Sequence, residues 1–204
     1  VSGRGSLGIG SLRVAVVGLV AASLVACSRT PDEPEAAPAT TSAAPAVRPL
    51  AWKAPPAWKK SESNETGPRR AGYKVPSVGD DKEEAEALVL FFGLGTPGDR
   101  DKIWDEWFAQ FDGDAKHDAK RASFEVRGMQ VETFEMVGTY KLNMGPRRPG
   151  MTKSPVQMVK EHFRMIAAVV HTKDRGNWFF RLVGPDATVA AASSDFRALL
   201  DSVE

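Results

Sequence analysis

Along residues 51 to 204 the spacing of apolar side chains changes period several times, and each change predicts an element. Tyr73-Lys74-Val75 alternates briefly before Pro76, and Glu84 to Phe92 opens with alternation and closes as a continuous apolar run. Both are read as strands. From Asp99 the period lengthens. Ile103, Trp104, Trp107, Phe108 and Phe111 fall at i, i+1, i+4, i+5 and i+8, which predicts one helix that buries two tryptophans and stops near Gly113. Ala122 to Arg127 and Gln130 to Tyr140 return to a strand pattern, with Phe134, Met136 and Tyr140 on one face of the second. Gly145, Pro146, Pro149 and Gly150 mark a long loop over residues 141 to 156. Phe163 to His171 and Trp178 to Val183 flank a turn at 173 to 177, a hairpin pattern. Val189, Ala192, Phe196, Leu199, Leu200 and Val203 then keep helical spacing to the carboxyl terminus. Strand runs with one inserted and one terminal helix predict an α+β domain on a mainly antiparallel sheet.

The amino-terminal quarter reads differently. Residues 1 to 26 carry Arg4 and Arg13 and no acid, and Val14 to Ala26 run without a charge, a positive n-region followed by an h-region. A bilayer-spanning helix needs about 20 apolar residues, and extending the stretch that far would enclose Arg13. A targeting segment is therefore expected rather than a permanent span. Residues 28 to 50 are dominated by Ala, Pro, Thr and Ser and hold almost no large apolar side chain. Such a stretch cannot bury enough surface to offset its ordering entropy. It is expected to act as a tether reaching ~70 Å at about 3.1 Å per residue if fully extended. All five tryptophans lie beyond residue 50, so the expected organisation is a leader at 1–26, a tether at 27–50 and one globular domain at 51–204.

Composition narrows the function classes. The whole chain of 204 residues has 27 Lys+Arg, 26 Asp+Glu and one cysteine. Subtracting Arg4 and Arg13 from the formal +1 leaves −1 on the exported part. That balance lacks the basic excess of a general nucleic-acid binder, and no nucleic-acid partner is expected. One cysteine rules out an intramolecular disulfide, a multi-cysteine zinc site and a CxxC redox pair.

That cysteine closes the h-region in Leu24-Val25-Ala26-Cys27, a sequence that resembles the lipobox of bacterial lipoproteins. The resemblance implies that Cys27 receives a diacylglyceryl thioether, that the chain is cut before it, and that the new amino group is acylated. Two or three acyl chains hold a protein stably at a bilayer, where one alone is marginal. Ser28 follows the cysteine, which by the same resemblance favours the outer membrane in a Gram-negative cell. The expected location is the cell envelope with the domain outside the cytoplasm, and the expected partners are the membrane through its lipid and an unidentified envelope protein or ligand.

The domain also carries a pattern of its own. Pro56-Ala57-Trp58, Arg70 to Val75, Trp107 to Phe111, Gly138-Thr139-Tyr140, Trp178 to Pro185 and a closing Phe196 to Leu200 follow in order. The set resembles a group of exported bacterial proteins whose sheet-and-helix sandwich is similar to that of the PsbP subunit of photosystem II and the Ran-binding Mog family. The resemblance covers about residues 50 to 204 and implies a PsbP/Mog-like sandwich. Its motifs are core and turn residues, so it transfers no functional residue.

Candidate chemistry is sparse. Gly93-Leu94-Gly95-Thr96-Pro97-Gly98 is a literal GxGxxG between a strand and a helix. Asp99 and Asp101 would repel a pyrophosphate there and Pro97 removes an amide donor, so a glycine-rich turn is the favoured reading. Asp112 to Asp118 gathers three carboxylates and His117, but Gly113 comes too early for a calcium loop and Lys116 sits among the acids. Glu84 and Glu86 are read as the wet face of their strand. His117, His162 and His171 lie in no nucleophile motif. No metal, cofactor or catalytic set is predicted. Arg147-Arg148, held between Gly145-Pro146 and Pro149-Gly150, form the candidate interaction loop, since paired guanidiniums suit carboxylate or phosphate partners. Two readings stay open: a surface-anchored binding or scaffold module, and an enzyme or small-ligand receptor whose site is assembled from residues distant in sequence.

Overall fold

Strands β1 (Lys59–Lys60), β2 (Arg69–Val75), β3 (Ala85–Leu90), β4 (Lys120–Val126), β5 (Met129–Met144), β6 (Val156–His171) and β7 (Asn177–Pro185) hydrogen-bond into one sheet in the order β1-β2-β3-β7-β6-β5-β4. Every neighbouring pair is antiparallel. The computed structural model describes residues 49–61, 67–95, 98–144 and 156–204, and residues 143, 144 and 156 by backbone alone. Helices α1 (Arg100–Phe108), α2 (Ala115–Asp118), α3 (Asp186–Ala191) and α4 (Ser193–Asp201) complete the described elements. The α+β expectation holds.

Alternation along the central strands explains why both faces of the sheet are covered. On β7, Trp178, Phe180 and Leu182 join one buried cluster, while Phe179 and Val183 join the other. A strand that is apolar on both faces must be sandwiched. The first face packs against α3 and α4 through Val189, Phe196, Leu199 and Leu200, and against the segment entering the domain through Leu50 and Trp52. Ala51 and Glu204 exchange backbone hydrogen bonds of 2.9 and 3.0 Å, which ties that entering segment to the residues after α4. The second face packs against α1. Its Ile103, Trp104, Trp107 and Phe108 are all buried, as their spacing predicts. Phe134 meets Trp104 edge-on at 5.0 Å and Phe108 at 4.6 Å.

Several sequence expectations need correction. The helix from Asp99 stops at Phe108, and Phe111 lies beyond it, bridging to Tyr140 instead. The polar stretch after Gly113 holds the short α2, capped by the Asp114 carboxylate on the His117 amide. The long loop expected over 141 to 156 is shorter, because β5 runs on to Met144 and β6 starts at Val156. The single terminal helix is two. Ala192, at φ −84° and ψ 1°, breaks the ladder between α3 and α4, although all six apolar positions still point inward. The break is compatible with the packing because α3 is started by tertiary contact. Asp81, from the β2–β3 loop, accepts from the Thr188 amide at 2.9 Å and its hydroxyl at 2.6 Å, serving as a cap where Pro185 offers none.

Candidate functional site

With helices on both faces, contact surfaces concentrate at the ends of the strand order. β1 is only two residues long. β4 closes the opposite edge over seven residues, and Lys120, Arg121, Ala122, Ser123 and Glu125 are exposed. Arg127 and Gly128, at φ 49° and 76°, form the two-residue turn into β5. Positive φ at both positions is the mark of the type I′ turn whose twist matches a hairpin. Val126 and Met129 close that turn as a bonded pair, and bonded pairs recur at every second position. Arg121, Ser123 and Glu125 therefore direct their amides and carbonyls away from β5, and none of these groups is bonded to another backbone segment among the described residues.

A cleft flanks the edge on each side. On the α1 side, Arg100, Trp104, Arg121, Ser123, Gln130 and Glu132 line a space of about 430 Å³. The Arg100 and Arg121 guanidiniums lie 5.0 and 5.7 Å from the Trp104 ring, and Arg121 also lies 5.2 Å over Phe108. The indole N–H of Trp104 is buried with no hydrogen-bond partner among the described residues. Arg100 is neutralised: it pairs with Glu132 at 3.1 Å and Asp101 at 3.3 Å. Glu132 in turn meets His171 Nε2 at 2.9 Å, and His171 Nδ1 meets Asn177 Oδ1 at 2.9 Å. The Asn177 amide nitrogen donates to the Gly98 carbonyl, which fixes its oxygen toward the imidazole. Arg121 differs. It donates to the Lys116 carbonyl at 3.2 Å and makes no ion pair among the described residues. On the α4 side, Phe124, Ile166, Phe196 and Leu200 line a mostly apolar groove of about 290 Å³, with Lys120 and Arg197 at its rim. The Arg197 guanidinium sits 3.6 Å from the Phe124 ring centre. An edge with free backbone groups, a cationic cleft on one side and an apolar groove on the other can accept an extended chain whose side chains alternate in character.

The residues singled out by sequence fall elsewhere. Cys27, the tether, Arg147 and Arg148 lie outside the described residues. Gly93 and Gly95 take φ 106° and 76°, conformations that suit a glycine turn, and Asp99 occupies the helix start by accepting from the Lys102 amide at 3.0 Å. Thr96 and Pro97 of that motif are outside the described residues. The sheet around the motif is antiparallel, not the repeated βαβ of a dinucleotide fold. The Asp112 to Asp118 acids disperse: Asp112 pairs with Lys141, Asp114 caps α2 and Asp118 meets His117. Glu84 pairs with Lys74 and Glu86 with Arg69. The Glu86 side of β3 is wet only at its start, since Leu88 and Leu90 on that face are buried. Sequence reasoning missed the Arg100, Trp104 and Arg121 cluster. The one local signal was the i, i+4 spacing of Arg100 and Trp104 at the start of the predicted helix.

No family model matches the chain, and no curated protein does. Solved structures similar to it include a Pseudomonas aeruginosa protein of unknown function, titled as a candidate regulator, at 10% identity over 71% of this chain and 94% of that one, with a TM-score of 0.39. The solution structure of cyanobacterial PsbP (CyanoP) from Synechocystis is likewise 10% identical, over 82% of this chain and 99% of that one, with a TM-score of 0.39. At these scores the likeness carries no argument about function, and the fold class rests on the sheet and helices themselves.

Proposed function

We propose that this chain is a bacterial envelope lipoprotein whose α+β domain is a binding module, with the β4 edge and its two flanking clefts as the recognition surface. Cys27 at the close of the h-region supplies the anchor, and the residues up to 50 supply the tether. The observation that carries the binding assignment is the exposed row of β4 with Arg121 unmatched beside it. Natural sheets blunt their edges by shortening, covering or charging them; β1 is short, whereas β4 is long and uncovered and carries charges of mixed sign at Lys120, Arg121 and Glu125. The surface draws on α1, β4 and β5 for one cleft and on β4, β6 and α4 for the other.

Two experiments test the halves separately. Cys27→Ser in the full chain is expected to leave an unprocessed precursor that no longer fractionates with membranes; a cleaved, membrane-held variant would remove the lipid anchor from the account. A photo-crosslinker placed at Ser123 in cells is expected to give discrete adducts, and one at Lys59 on the opposite edge to give none. Equal labelling from both edges would reject β4 as the recognition surface.

A further inference from the structure

The β4 edge is complementary to itself. An antiparallel partner strand centred on Ser123 would place Ser123 opposite Ser123, Arg121 opposite Glu125, and Ala122 opposite Phe124. Arg121 and Glu125 project to the α1 face, while Ala122 and Phe124 project to the α4 face, so each pairing keeps like faces together. Among the described residues neither Arg121 nor Glu125 makes an ion pair within its own chain. The register supplies each with the other, twice over.

We propose that the partner at this edge is a second copy of the chain, joined to the first by antiparallel β4–β4 pairing about a two-fold axis through Ser123. The inference rests on the β4 edge being the recognition surface and names its occupant. Backbone geometry agrees. Arg121, Ser123 and Glu125 are the residues whose amides and carbonyls face outward, and in this register they meet only one another. Three bonded pairs give about six new backbone hydrogen bonds. A slip by one residue would turn every side chain to the wrong face and set outward groups against inward ones, so the register is strongly specified. The two-fold relation makes the contact isologous and closed, which protects an open edge from indefinite strand addition. A charged edge strand ordinarily repels its copy; here the charges alternate in sign about the centre and attract. Anchoring two copies to one bilayer through Cys27 would raise their effective concentration and favour a contact of this small size.

The test uses the full chain in its native envelope. Cysteines are introduced singly at Lys120, Ala122, Ser123 and Glu125, and mild oxidation is followed by non-reducing electrophoresis. Facing residues of a bonded pair lie about 5.5 Å apart at Cα, within disulfide reach, and only Ser123 faces itself. Ser123→Cys is expected to yield the covalent dimer, the other three little, and the parent chain none. Arg121→Glu or Glu125→Arg, each in the Ser123→Cys chain, puts like charges opposite in both pairs and is expected to cut the dimer about tenfold or more. The double swap Arg121→Glu with Glu125→Arg restores opposite charges and is expected to restore the dimer, which a mere loss of folding would not do. Cross-linking without preference for Ser123, no cross-linking at all, or single and double swaps that behave alike would overturn self-pairing. Were discrete adducts to other proteins still to form from Ser123 in that case, the recognition surface would stand with a different occupant.

Discussion

Trp107→Ala tests the packing of α1 on the sheet. The Trp107 ring is buried, meets Phe179 edge-on at 6.1 Å and Phe134 at 6.3 Å, and carries the Arg181 guanidinium 5.5 Å from its centre. A tryptophan buries about 150 to 250 Å², which at about 25 cal/mol per Å² amounts to roughly 4 to 6 kcal/mol for the whole side chain. Alanine keeps one methyl group, and the pocket collapses in part, so the expected loss is about 3 to 5 kcal/mol, in line with aromatic deletions from other cores. Arg181 loses its ring as well, and its Nε is already without a hydrogen-bond partner among the described residues. That sets the expectation toward the upper end. With a urea slope of about 2 kcal/mol/M, the midpoint should fall by roughly 2 M. The assay is urea unfolding followed by far-UV circular dichroism, because the substitution also removes a fluorophore. Trp107→Phe keeps an aromatic ring against Phe134 and Phe179 and should lose less than half as much. An unchanged midpoint at unchanged slope for Trp107→Ala would refute the burial of this helix face.

A Cβ built on Gly184 would stand 2.5 Å from the Ala85 Cβ and 2.7 Å from its Cα, so Gly184→Ala should destabilise the domain by about 1 to 3 kcal/mol or more. Thermal unfolding checks it, and adding Ala85→Gly should recover only part, since the backbone at position 85 would still crowd the new methyl group. Burial pushes the Tyr140 phenol above its ordinary value, against the pull of Arg181 and with a further push from Glu86. Its contribution to stability is therefore complete below about pH 10 and is lost as pH rises through the folded value. Absorbance titration of the two tyrosines should show a late-ionising phenol that vanishes in Tyr140→Phe.

What the sequence disclosed and what it hid follow from burial. Elements with one dry face announced themselves. The spacing of Ile103, Trp104, Trp107 and Phe108 located α1, and the alternation of Phe134, Met136 and Tyr140 located β5 with its correct inward face. Elements without a dry face were silent. Lys59 and Lys60 form β1 through backbone pairing to Tyr73 and Lys74 alone. The far ends of β5 and β6 run past the rest of the sheet as a two-stranded ribbon, where Leu142, Met158 and Val159 are exposed, so no alternation betrayed them. The break at Ala192 was hidden for the converse reason: the apolar spacing continues across it, and the cap that starts α3 comes from Asp81, more than a hundred residues earlier. The site was hidden for both reasons together. Arg100, Trp104, Arg121 and Glu132 come from three elements, and the strand that joins the two clefts is polar along most of its length.

That polarity bears on why recognition should fall to β4. A sheet covered by α1 on one face and by α3 and α4 on the other has spent its apolar area on its own core, leaving the backbone of its edges as unsatisfied bonding capacity. The β1 edge is short and has little to offer. The β4 edge is long, leads into β5 through a tight turn that fixes the register of that pair, and faces outward with a cation, a hydroxyl and an anion at Arg121, Ser123 and Glu125. Were protection against aggregation the sole demand on this strand, like charges at both ends of that triplet would serve better, because they repel in every antiparallel register that sets them opposite one another. Opposite signs about a central serine repel in the two registers that set Arg121 or Glu125 against its own copy and attract in the one that sets them against each other. The arrangement thus meets two demands at once, exclusion of indiscriminate strand partners and acceptance of a single geometry, and it is the second demand that the charge-swap experiment isolates.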